Sequence, residues 1–240
     1  MNRKITVITG ASSGIGKSCC TELLNIGNIV IGIDLNKSTI NNENYIHYSI
    51  DITNENDVYK IISDINETFR NIDYLVNAAG VFSTNKTFYE LELEEWNRVL
   101  SVNLTGTFLI SKYISRIMIK QKYGKIVNIS CIRSKIFRPN MSDYATSKAG
   151  IVALTSTMAL DLAPFNIQVN AVAPGFTYTG MTEKSFDQPA IRKKSESLIP
   201  NGKIANPEEI SSIVLFLLSD RANNIIGTTI FSDGGYTIQK

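Results

Sequence analysis

Tyr144 and Lys148, in the run Tyr144-Ala145-Thr146-Ser147-Lys148, stand four residues apart. On a helix that spacing puts the phenol and the ammonium on one face. A cation so placed favours the phenolate and is expected to pull the tyrosine below its ordinary pKa of about 10. Tyr144 would then donate or accept a proton near neutral pH. A solvated surface pair has the same spacing, so the chemical reading depends on what the rest of the chain brings to this helix.

A second group lies near the N-terminus. Thr9-Gly10-Ala11-Ser12-Ser13-Gly14-Ile15-Gly16 follows a short apolar run and precedes a helical pattern. Glycines there let backbone N–H groups approach a pyrophosphate and let the helix pack closely on a sheet. The spacing is not G-x-G-x-x-G, and a tight turn without ligand is the other reading. Asp34 adds to the first. It ends the next apolar run 18 residues after Gly16, where a carboxylate is expected to hold adenosine ribose hydroxyls. The same charge opposes a 2′-phosphate, and position 13 holds serine rather than a base, so NAD is expected as cofactor and NADP less so. Lys37 is the counterweight.

The elements that must position these groups alternate. Strands are expected at Ile5–Ile8, Asn28–Ile33, Ile46–Ser49, Tyr74–Val76, Lys125–Ile129, Ile167–Ala171 and Thr228–Phe231. Helices are expected from the glycine turn to Asn25 and over Glu55–Arg70, Glu94–Ile119 with a weak point at Asn103–Gly106, Tyr144–Ala163 and Pro207–Leu218. The last has Pro207 at its start and Glu208 and Glu209 in its first turn. Such alternation predicts a parallel sheet with right-handed crossovers and helices on both faces. The expected architecture is one α/β doubly wound Rossmann-type domain over residues 1–240. The polar stretch at about 176–206 reads as a mobile lid.

Bulk properties narrow the function classes. Of 240 residues, 43% are hydrophobic and 19% charged, ordinary for a globular protein, and a net charge of +2 gives no reason to expect nucleic acid or membrane as partner. No apolar stretch approaches the roughly 20 residues of a membrane helix and no signal peptide fits, so a cytoplasmic setting is expected. Three cysteines, two of them adjacent, suit reduced thiols and no metal site. The sole histidine, His47, reads as structural.

Thr9-Gly10-x-x-x-Gly14-Ile15-Gly16, Asn77-Ala78-Ala79-Gly80, Tyr144-x-x-x-Lys148 and Pro174-Gly175 together resemble, in order and spacing, the short-chain dehydrogenase/reductase family, and the similarity runs on to Asp233-Gly234-Gly235. The resemblance implies a sheet of about seven strands and hydride transfer between a nicotinamide and a secondary alcohol or ketone. It implies that Tyr144 is the acid/base and that Lys148 tunes it and holds the nicotinamide ribose. Asn103 would support a proton relay. Leu35 beside Asp34, and Asp51 with Ile52, would border the adenosine, with Asn77 to Gly80 beneath it. Pro174, Gly175, Thr177 and Thr179 would hold the carboxamide. A homo-oligomer, dimer or tetramer, is also implied, built on the helices at 94–119 and 144–163.

One position departs from the family. Its serine, which orients the substrate oxygen, lies 13 residues before the tyrosine, and position 131 is Cys131. Either the thiol takes the serine role, or a one-residue shift brings in Ser130, or turnover is impaired and the chain is a catalytically weak or silent NAD-binding regulator. For the substrate, Arg133, Lys135 and Arg138 form a basic loop that could meet a carboxylate or phosphate, or be merely solvated. Arg138, Met141 and Ser142 also resemble the loop of 2,3-dihydro-2,3-dihydroxybenzoate dehydrogenases, while 3-oxoacyl-acyl-carrier-protein reductases are equally similar. Phe176, Met181, Phe186 and Ile191 are candidate apolar contacts.

Overall fold

Short apolar runs bounded by turns become buried strands because both faces of a parallel sheet are covered. In the computed structural model, which describes residues 3–239, seven strands form: β1 (Ile5–Thr9), β2 (Ile29–Asp34), β3 (Tyr45–Ser49), β4 (Tyr74–Asn77), β5 (Gly124–Ile129), β6 (Ile167–Pro174) and β7 (Thr229–Ser232). They make one parallel sheet in the order β3-β2-β1-β4-β5-β6-β7. The order reverses between β1 and β4, so their carboxyl ends open the crevice in which such sheets bind ligands.

Among the described residues, eight α-helices lie against or beside the sheet: α1 (Gly14–Asn25), α2 (Glu55–Phe69), α3 (Leu93–Leu100), α4 (Thr107–Gln121), α5 (Ser142–Leu162), α6 (Glu183–Phe186), α7 (Pro189–Ser197) and α8 (Pro207–Leu218). On one face Val58, Ile62 and Ile65 of α2, Ile110, Ile114 and Met118 of α4 and Leu162 of α5 pack on Val7, Ile31, Leu75, Ile126 and Val169. On the other, Cys19, Cys20 and Leu23 of α1 meet Ile210, Val214 and Leu217 of α8 over Ile8, Val30, Val76 and Val127. Local signals set the helix starts. The Asn54 side chain accepts from the amides of Asn56 and Asp57 at the head of α2, and Asn206 with Glu209 forms a reciprocal cap ahead of Pro207 in α8.

Two expectations needed correction. The single long helix over 94–119 is α3 and α4 joined by a π-helical turn at Ser101–Gly106. The weak point at Asn103–Gly106 falls there, and such turns recur at functional sites. The stretch at 176–206, for which no element was expected, is not without regular structure. It folds into α6 and α7, and Phe186, Ile199 and Ile204 form a small core with Phe176 and Tyr178. Strand ends otherwise move by one to three residues, the longest change being β6, which runs on to Pro174.

Candidate active site

The turn between β1 and α1 is built from close backbone approaches. Gly10 has φ +69°, and a Cβ there would lie 2.7 Å from the Ala79 nitrogen. A Cβ on Gly16 would sit 2.2 Å from the Gly10 carbonyl oxygen. Both positions therefore require glycine. Thr9 secures the neighbouring strand end, its hydroxyl accepting from the amides of Ala78 and Ala79 at 3.2 Å each. Ser13, the residue before α1, makes no side-chain cap to the helix, so the first amides of α1 remain available to an anion.

Asp34, at the carboxyl end of β2, is tied to this turn. One oxygen accepts from the Ser12 amide at 3.1 Å, the other from the Asn36 amide at 2.9 Å. Asp51 accepts from the amide and hydroxyl of Thr53 at the loop after β3. Both carboxylates line a cleft of about 560 Å³ that runs from the glycine turn along the strand ends to Tyr144. The volume suits a cofactor or small-molecule site.

At the far end of the cleft, the first turns of α5 present Tyr144 and Lys148, both buried. The Phe82 ring packs on the Tyr144 ring with centroids 4.9 Å apart. Cys131, the residue after Ser130 at the end of β5, packs against Tyr144 together with Met141 and Val99. Lys148 donates to the Ile129 carbonyl at 2.9 Å, and its Nζ lies 5.8 Å from the centre of the Tyr144 ring. The expectation that Lys148 pulls the phenol pKa down is not met by the chain's own groups. Burial, and then the Cys131 thiol, hold Tyr144 well above its usual value. The same burial pushes Lys148 down to about 8. Desolvation disfavours both charges and outweighs the opposing influence of Arg133 on Tyr144 and of Cys131 on Lys148.

The two residues proposed for the serine role part company. The Ser130 hydroxyl donates to the Lys148 carbonyl at 2.8 Å, tying β5 to α5. Cys131 has extended backbone (φ −166°, ψ 158°), and its side chain faces the phenol. Asn103 lies in the π-helical turn and is fully buried. It accepts from the Val81 amide at 2.8 Å and donates to the Val81 carbonyl and the Ser147 hydroxyl at 3.0 Å. That pairing fixes the loop after β4 against α5, at the residue next to Lys148.

The cleft wall gathers Gly10, Ser13, Gly14, Ile15, Gly16, Asp34, Leu35, Asp51, Ile52, Ala78, Ala79, Gly80, Ser130, Cys131, Arg138, Tyr144, Lys148, Pro174, Gly175, Phe176, Thr177, Thr179 and Met181. Three expected residues are not on it. Ser12 braces Asp34 and Asn36 through its amide and hydroxyl. Asn103 is held as described. Asn77 is buried beneath, donating to Ser111 and Asn128, and Asn128 in turn donates to Thr155 of α5. These asparagines tie the sheet and the loop after β4 to the helices. Met141, named with Arg138 in the loop resemblance, is on the wall; the sequence reading missed Phe82 and Thr182, which also line the cleft, and only nearness to the Asn77–Gly80 turn could have flagged the first. Lys135 lies apart from the cleft wall, its Nζ 5.2 Å from the centre of the Phe231 ring. His47 is held between Tyr45 and the Asn36 carbonyl. Among the described residues, no cluster of His, Cys, Asp or Glu could hold a metal ion, and no helix is long and apolar enough to cross a membrane.

This sheet order, glycine turn and Tyr144-x-x-x-Lys148 helix define an NAD(P)-binding Rossmann fold of the oxidoreductase type. The chain belongs to the short-chain dehydrogenase/reductase family. Residues 10–237 match the family described as Enoyl-(Acyl carrier protein) reductase. The chain is 36% identical to the 3-oxoacyl-[acyl-carrier-protein] reductase FabG of Thermotoga maritima over 98% of each chain. It is also 36% identical to an NAD-dependent glycerol dehydrogenase of Listeria innocua, over 98% of this chain and 94% of that one. The solved structure of ElxO with NADP bound superposes with a TM-score of 0.93 at 30% identity, over 99% of this chain and all (100%) of that chain.

Proposed function

We propose that this protein interconverts a small secondary alcohol and its ketone with a nicotinamide cofactor, NAD(H) in preference to NADP(H). The single observation that carries the reading is that Tyr144, Lys148 and Cys131 line the same cleft as the Gly10–Gly16 turn and Asp34. The residues fit such a cofactor: a turn with no room for side chains, uncapped amides at the head of α1, and a carboxylate at the end of β2. Gly10 to Gly16 would receive the pyrophosphate, Asp34 the adenosine ribose, Lys148 the second ribose, and Pro174 to Thr179 the carboxamide. Relatives point both ways on the nucleotide, one being named NAD-dependent and another having NADP bound. Asp34 favours NAD through repulsion of a 2′-phosphate.

The nicotinamide, when bound, supplies or accepts the hydride and, when oxidised, carries a positive charge into the cleft. Tyr144 holds the proton at its phenol oxygen. It gives that proton to the substrate oxygen during reduction and takes it back during oxidation, so charge on that oxygen never fully develops. Cys131 faces the same oxygen and orients it, with a thiol that is a weaker donor than a hydroxyl. Phe82, Phe176 and Met181 enclose the apolar body of the substrate. Asn103 and Ser130 act as positioning residues through Val81 and α5.

Cys131 also carries the second reading, an NAD-binding protein with little turnover. Incubation with NAD⁺ and a panel of secondary alcohols, following NADH absorbance, separates the two. Turnover that Cys131→Ser preserves or raises supports the enzyme. NADH binding without turnover in either form supports the silent protein. Exposed apolar side chains on α3 to α5 (Leu93, Phe108 and Leu160) fit a homo-oligomer, and three free thiols fit a reducing, cytoplasmic setting.

A further inference from the structure

The two ends of the cleft differ in charge. Its carboxylates, Asp34 and Asp51, both belong to the end bordered by β2 and β3. The end around Tyr144 carries Arg133 and Arg138 instead. Arg133 is 93% buried by its 7% exposure, follows Cys131 by two residues, and lies with its guanidinium carbon 5.9 Å from the centre of the Tyr236 ring. Its one protein hydrogen bond among the described residues is from Nη1 to the Ile136 carbonyl at 3.3 Å. Arg138 stands nearer the rim, where its Nε points at the Met141 sulfur at 2.7 Å, a poor acceptor. Among the described residues neither arginine forms an ion pair with a carboxylate.

A guanidinium offers five donors in a planar fork; among the described residues most of those of buried Arg133 have no protein acceptor, and Arg138 is exposed at the rim with none but the Met141 sulfur. Burying one without a counter-charge is costly, and a second cation nearby adds repulsion. Partial desolvation, and then the neighbouring Arg133, weaken Arg138's hold on its proton although it stands at the exposed rim. An anion between the two would relieve both penalties. Around them the walls are apolar, with Phe82, Met141 and Phe176 facing the same space.

We infer that Arg133 and Arg138 form an anion-recognising site, so that the substrate is an apolar ketone or alcohol bearing a carboxylate or phosphate on the side away from the reacting carbon. The inference rests on the oxidoreductase reading only in what it says of the reacting carbon; the anion site can be tested without turnover. Benzoate, phenyl phosphate and benzamide are titrated calorimetrically into the protein with and without NADH. At least one anion should bind about tenfold or more tightly than benzamide, the worth of one charge-assisted hydrogen bond. The stronger of the two anions identifies the group. Arg138→Gln should abolish the preference. Arg133→Gln should do the same, and Arg133→Lys, checked for folding by circular dichroism, should restore part of it. Equal binding of benzamide, no anion binding, or a preference that survives Arg138→Gln overturns the site. In activity, a keto acid compared with its methyl ester should show the discrimination mainly in KM, and Arg138→Gln should remove it. Anion binding without nicotinamide-dependent turnover would sink the oxidoreductase reading and leave the site standing; turnover that ignores the anionic group would do the reverse.

Discussion

Lys148 is an ammonium held among buried groups with one carbonyl, that of Ile129, as its hydrogen-bond acceptor. Its folded pKa of about 8 lies below the ordinary 10.5, so the unfolded chain binds that proton more tightly. The charged form therefore costs stability below pH 8, on the order of 3 kcal/mol, and the cost fades as pH rises toward 10.5. Lys148→Met should accordingly lose most turnover yet melt at the same temperature as wild type, or higher, at pH 7. The wild type should gain on the variant between about pH 8 and 10.5; a difference that stays flat with pH, measured by thermal melts, contradicts this account. Tyr144 has the matching behaviour. With its pKa raised, the neutral phenol persists through neutral pH, which favours proton donation in reduction and makes alcohol oxidation rise into the alkaline range. The spacing of Tyr144 and Lys148 made the pair legible in the sequence. The direction of the tyrosine shift was not, because a four-residue spacing says which face two groups share but not how far that face is from water.

At the level of elements, the glycine turn and Asp34 act as one unit, since Asp34 accepts the Ser12 amide within the turn. The turn was readable because glycine at 10 and 16 answers to backbone contacts that no other residue allows. Asp34→Ser should lower the preference for NAD over NADP by about tenfold or more, by removing repulsion and a charged hydrogen bond. The ratio of the two kcat/KM values is the readout, because any loosening of the turn affects both nucleotides alike. An unchanged ratio would take Asp34 out of nucleotide selection. Asn77 and Asn103 show the limit of motif reading. Both stand where cofactor-floor and relay residues were expected, and their amides meet Ser111, Asn128, Val81 and Ser147, contacts that a motif alone does not specify, while Asn77 Oδ1 has no protein partner among the described residues. The π-helical turn was half visible, as a glycine-bearing break in a helical pattern. The lid helices were hidden because α7 is mostly polar, although Pro189 at its start was a usable signal.

For the molecule as a whole, the parallel doubly wound sheet was legible in the alternation of strands and helices, because crossovers allow few arrangements of such a chain; the strand order itself was not read from it. Subunit contacts are a different matter: an exposed apolar residue looks the same in sequence whether it is core or interface. Leu160, on the outer side of α5, is 78% exposed. Sedimentation velocity should find the protein as a dimer or tetramer. Leu160→Glu should shift it toward smaller species while leaving the circular dichroism of the folded chain intact; a monomeric wild type would contradict the oligomer. The central claim, however, is proton transfer at Tyr144 within a nicotinamide cleft, and removing one oxygen tests it most directly. With an alcohol from the panel that the wild type oxidises, Tyr144→Phe should bind NADH with unchanged affinity while kcat falls by a factor of about 100 to 10,000. If Tyr144→Phe retains near wild-type kcat, Tyr144 is not the proton carrier and the account fails at its centre.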